Sequence, residues 1–190
     1  MKRIFVLIML CVCLSAFAQE NAAPAAGSFG LSARLSVLND YLASEIGFYR
    51  NPGVGLGLRY HLLDRLMLEG ILSGGFIQEN NATSADRDYV TVGGGLGIYY
   101  WMKAKGALSR YVGLQQLVYV YDQQDSESML LTVIGALQFG LQVNFNRNFA
   151  VFGNFGAGVE LLGDTDSSGD HDSRTYFQIM PPQLGVVFYF

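Results

Sequence analysis

Two sets of side chains in this sequence have the types and spacing for chemistry, and they overlap between residues 164 and 175. His171 is followed two positions later by Ser173, with Asp172 between them. A serine hydroxyl becomes a nucleophile when a hydrogen-bonded histidine takes its proton and an acidic group orients that histidine. No glutamate follows the motif, and the Asp/Ser/Gly-rich stretch around it reads as a loop, not a rigid strand. A solvated loop tip is the expected role. In the same stretch Asp164, Asp166, Ser168 and Gly169 match the first, third, fifth and sixth positions of a calcium loop. Thr175 falls at the twelfth, where a bidentate carboxylate is required. The expectation is a plain acidic loop, with no catalytic residue, no metal and no cofactor.

Four other charges are constrained more tightly. Arg34, Arg59, Glu69 and Glu160 each interrupt apolar stretches that alternate with a period of two. Phe29, Leu31, Ala33 and Leu35 alternate with Gly30, Ser32 and Arg34, and Val54, Leu56, Leu58 and Tyr60 with Gly55, Gly57 and Arg59. That period belongs to strands with one apolar face. Eight such segments follow one another to the last residue. The sixth is the clearest: Leu131, Val133, Leu137, Phe139 and Leu141 against Gln138 and Gln142. Connections alternate in length, short at Leu63-Asp64-Arg65 and Phe145 to Asn148, longer at Asn39 to Gly53, Gln78 to Asp88 and Gly163 to Arg174. Eight amphipathic strands with alternating connections make an all-β, antiparallel up-and-down barrel that crosses a membrane, with short periplasmic turns and longer extracellular loops.

The polar set decides which face meets lipid. It consists of Gly, Ser, Thr, Gln and isolated charges instead of the Lys and Glu that coat a soluble exterior. A charge at the lipid midplane costs about 2–4 kcal/mol, so the four charges must point into the lumen. A barrel of eight strands has room only for side chains there. Arg59 and Glu69 lie equally far from Asp64, so a tight hairpin places them opposite each other. In the last strand Phe177 and Ile179 are odd-numbered, whereas Leu184, Val186, Phe188 and Phe190 are even. One extra residue at Pro181-Pro182 puts both sets on one face, which predicts a bulge there. Aromatics gather near strand ends, with Phe29, Tyr100, Trp101, Phe145, Tyr189 and Phe190 toward one side. They are expected in an interfacial girdle.

The N-terminal residues bear on export. Met1-Lys2-Arg3 is a basic start, Ile4 to Leu14 an apolar run, and Ala16-Phe17-Ala18 a cleavage site. Those are the parts of a secretory signal peptide, and the apolar run is shorter than the roughly 20 residues of a membrane helix. The expected organisation is a signal peptide over 1–18, a periplasmic linker over 19–28 and the barrel over 29–190. Cys11 and Cys13, the two cysteines, lie in the segment to be removed, which excludes disulfides and thiol chemistry from the mature chain. The full chain has 12 basic and 16 acidic residues, and losing Lys2 and Arg3 leaves a net charge of −6. That balance argues against nucleic acid as a partner.

These strands and the closing Gly185-Val186-Val187-Phe188-Tyr189-Phe190 resemble the small OmpA/OmpX-type outer-membrane β-barrel family. The resemblance implies residence in the bacterial outer membrane, among its lipids. It also implies that the barrel-assembly machinery recognises Val186, Phe188 and Phe190. The resemblance is specific for fold and says little of activity; the expected function is that of a non-enzymatic protein whose barrel anchors surface loops, for envelope integrity or contact with an external partner. A narrow passage for small solutes is the alternative, and a lipid A-modifying enzyme, suggested by His171 and Ser173, is the third.

Overall fold

The computed structural model describes residues 24–36, 53–79, 87–105, 107–123, 129–165 and 171–190. Among them every regular element is a strand: β1 Phe29–Ser36, β2 Val54–Leu63, β3 Leu66–Glu79, β4 Arg87–Lys105, β5 Leu108–Gln123, β6 Met129–Asn144, β7 Phe149–Thr165 and β8 His171–Tyr189. Each pairs antiparallel with the next, and β8 returns to β1 through Leu31↔Phe188 and Ala33↔Val186, which closes the barrel. Phe190 N donates to Phe29 O at 3.0 Å, extending that seam to the last residue. Closure leaves no sheet edge, the condition for strands to cross lipid.

The side chains sort as their alternation requires. Leu31, Leu56, Leu96, Leu114 and Phe188 are exposed on the outside, and Leu96 keeps 73% of its surface. Ser32, Arg34, Arg59, Thr91, Gln115 and Gln138 are buried inside. In β6 Leu131, Leu137, Phe139 and Leu141 face outward and Val133 is half-buried, with Gln138 and Gln142 in the lumen. Gln116 of β5 is polar but shares the outward face of Leu114 and is exposed.

The prolines stand at a bulge. Asn154 pairs with Gln183 and Gly156 with Met180, so Phe155 alone opposes Pro181 and Pro182. Phe177 and Ile179 before it, and Leu184 and Phe188 after it, all face outward, whereas Met180 and Gln183 are buried. The extra residue resets the parity and spares the ladder two positions that lack a donor.

Two expectations need correction. Ala25 to Ser28, the end of the expected linker, form a turn fastened to β2, in which Gly27 (φ 84°) donates to His61 O at 2.7 Å. The rest of the linker and residues 1–18 lie outside the described residues. The acidic stretch is also mostly strand. Asp164 pairs with Asp172, Thr165 with His171 and Gly163 with Ser173, so only 166–170 connect β7 to β8. Asp166, Ser168 and Gly169, three of the four positions matched to a calcium loop, lie outside the described residues.

The wall is uneven. β1 has 8 residues and β2 has 10, whereas β4 and β8 have 19 each. Both termini of the described barrel and the connections 64–65, 106–107 and 145–148 lie at one end. Connections 37–53, 80–86, 124–128 and 166–170 belong to the other. These are called the turn end and the loop end.

Candidate functional site: the charged cluster in the lumen

Three of the four lumen charges converge from adjacent strands. Arg59 on β2 and Glu69 on β3 are register partners across the Asp64 turn. Glu69 Oε1 accepts from Arg59 Nε at 2.7 Å, from Ser32 Oγ at 3.2 Å and from Arg34 Nη2. Arg34, Arg59 and Glu69 are 4%, 1% and 2% exposed. Charges taken out of water are tolerable only when paired and hydrogen-bonded, and one carboxylate here serves two guanidinium groups.

Glycines make the space. A Cβ at Gly57 would stand 2.5 Å from Ser32 Oγ, 3.0 Å from Glu69 Oε1 and 3.1 Å from Arg34 Nη2. At Gly55 it would stand 3.1 Å from Arg34 Cγ. The two glycines of β2 thus form the floor on which the Arg34 side chain lies. Elsewhere the bargain is with rings: a Cβ at Gly93 would overlap Tyr119, at Gly140 Tyr111, and at Gly185 Phe152. Large rings laid over bare strands fill a lumen too narrow for large residues at every position.

Arg59 has further partners across the lumen. Its guanidinium lies 3.8 Å from the centre of the Phe152 ring, where the face of the aromatic quadrupole attracts a cation. Its Nη1 donates to Gln142 Oε1 at 3.1 Å, and Tyr189 OH donates to the same oxygen at 3.2 Å. Gln142 Nε2 passes the chain to Asn144 Oδ1 at 2.7 Å, and Asn144 Nδ2 to Ser109 Oγ at 3.2 Å. The relay joins β1, β2, β3, β5, β6 and β8 and runs toward the turn end.

Glu160 does not join this cluster. It is buried on β7, but roughly 26 Å of extended strand separates it from Phe152, against which both arginines lie. Trp101 and Tyr189 correct the expected girdle. They are 2% and 4% exposed and turn inward, with His61 between them at ring separations of 5.2 Å and 5.5 Å. Parity carried the signal, since Trp101 shares its face with Tyr99, and Tyr189 lies opposite in sense to Phe188. Phe152 was missed altogether. Its face is legible from β7, but its place over Arg59 depends on the far wall.

Of the closing residues, Phe188 faces outward and packs on Phe149 at 5.0 Å, Phe190 is exposed, and Val186 is half-buried between Ala33 and Val151. His171 and Ser173 begin β8 instead of lying in a loop. Among the described residues no three of His, Cys, Asp or Glu come together to hold a metal.

An apolar belt around a closed barrel with a polar, packed interior is the inverse of a soluble protein, and it suits a bilayer. Solved structures share the barrel fold. OprG from Pseudomonas aeruginosa, an outer membrane protein, matches with a TM-score of 0.55 at 14% identity, over 90% of this chain and 99% of that one. The N-terminal β-barrel domain of Pseudomonas aeruginosa OprF matches with a TM-score of 0.50 at 18% identity, over 87% of this chain and 98% of its own. The fold is that of the small eight-stranded outer-membrane β-barrels. No protein-family model and no curated protein matches the sequence. At such identities the likeness concerns the architecture of an outer-membrane barrel.

Proposed function

We propose that the chain is a non-enzymatic protein of the bacterial outer membrane, whose plugged barrel holds its loop-end connections at the cell surface. There they stabilise the envelope or meet an external partner. The observation that carries this reading is the filling of the lumen. Arg34, Arg59, Glu69 and Phe152 occupy its cross-section with each residue at most 4% exposed. Tyr99, Trp101 and Tyr111 pack beneath them at the turn end. A barrel so filled supplies rigidity and leaves contact to the segments outside it.

Single-channel recording on the reconstituted protein tests the reading. The expected result is no sustained conductance. A steady open level in the unmodified protein would favour a passage for small solutes. Mass spectrometry of lipid A with and without the gene addresses the enzymatic alternative, and an unchanged spectrum is expected. In the same reading Val186, Phe188 and Phe190 serve recognition by the barrel-assembly machinery. Phe190→Ser should therefore slow insertion in cells more than refolding in detergent.

A further inference from the structure

The two arginines of the cluster are not equally satisfied. Arg59 has Glu69, the Phe152 ring and Gln142. Arg34 has Glu69 through Nη2, stands 5.6 Å from the Phe152 ring, and its buried Nε makes no hydrogen bond. A cavity of about 10 Å³ opens beside it, lined by Arg34, Ser36, Gln115 and Gln183 among others. Two further buried polar atoms of that lining are without partners, Ser36 Oγ and Gln183 Oε1.

Charge decides what the cavity takes. Among the described residues two guanidinium groups share one carboxylate, so Arg34, Arg59 and Glu69 together carry one net positive charge, and Glu160 is too far along β7 to offset it. A water would satisfy the Arg34 N–H but leave that charge in a low-dielectric interior, where unpaired charge is costly. We propose that the cavity holds one small anion of halide size, bound by Arg34 Nε–H and Ser36 O–H. The Gln183 amide, which has donors as well as an acceptor, turns its nitrogen toward the ion. The volume is on the scale of a single water-sized sphere. Phosphate, sugars and gluconate are all larger than such a sphere.

The test uses the full chain refolded in neutral detergent, with its melting midpoint followed in sodium chloride, sodium bromide or sodium gluconate at matched ionic strength. Chloride and bromide should raise the midpoint saturably, and gluconate, too large for the cavity, should not. Arg34→Met should raise the half-saturating concentration at least about tenfold, and Glu69→Gln, which adds net positive charge, should lower it. Should either variant fail to fold, wild-type crystals grown in bromide give the answer, with an anomalous peak expected beside Arg34 Nε. Equal effects of chloride and gluconate, undiminished stabilisation in folded Arg34→Met, or bromide crystals with no peak in the cavity would overturn the proposal.

Discussion

The two halves of the lumen are filled by different means. Toward the turn end, Met67, Tyr99, Trp101 and Tyr111 form one packed group and Ala150, Phe152, Val187 and Tyr189 another. The hydrogen-bonded relay from Ser32 to Ser109 runs between them. Toward the loop end, Ile71, Leu117, Tyr119, Ile134, Ala136 and Met180 make a more aliphatic group. Hydrogen bonds and ion pairs have fixed directions and leave a penalty when one partner is lost, whereas aliphatic contacts are non-directional and tolerate conservative exchange. The turn-end half should therefore be the less forgiving.

The largest expected effect comes from Glu69. Glu69→Gln leaves two buried guanidinium groups without a carboxylate and should cost about 3–5 kcal/mol, read by equilibrium urea unfolding in lipid vesicles. Removing Arg59 and Glu69 together should cost less, because it restores the wild-type net charge of the cluster. If the single and double losses are equal, the pair is not coupled and the comparison loses its main support.

Gly57→Ala comes next. Its methyl group would press on Ser32, Glu69 and Arg34, and overpacking of this kind costs about 1–3 kcal/mol. Gly135→Ala is the control, since a Cβ there meets nothing within 4 Å, and the change should stay within about 0.5 kcal/mol. A matching loss at both positions would show that backbone propensity, not the crowded cluster, sets the cost.

Phe152→Leu keeps an apolar side chain but removes the ring from Arg59, which should cost about 0.5–2 kcal/mol beyond any cavity left behind. The smallest effect is expected in the loop-end half. Ile134→Val should cost about 0.5–1.5 kcal/mol and leave the melting profile cooperative. A larger loss from Ile134→Val than from Phe152→Leu would reverse the ranking of the two halves.

Much of this was legible in particular residues. The alternation in β6 assigned Gln138 and Gln142 to the lumen, and the spacing around Asp64 paired Arg59 with Glu69. The change of parity across Pro181-Pro182 required the bulge. Trp101 and Tyr189 were legible too, but grouping aromatics by strand end, without regard to face, put them in the girdle. The strand at His171 was hidden by an Asp/Ser/Gly composition that favours turns, which ladder pairing with β7 outweighs.

The sequence by itself determined the facing of the strands, the need for closure and the pairing across short turns, because a period of two and a tight hairpin are local rules. Only the tertiary structure decided that Arg34 shares Glu69 with Arg59, that Phe152 lies over Arg59, and that Glu160 stands apart. The connection 37–53 is too long to carry register from β1 to β2 by local geometry. Contacts across the lumen depend on the stagger and tilt at which all eight strands close, a property of the whole barrel that no single segment encodes.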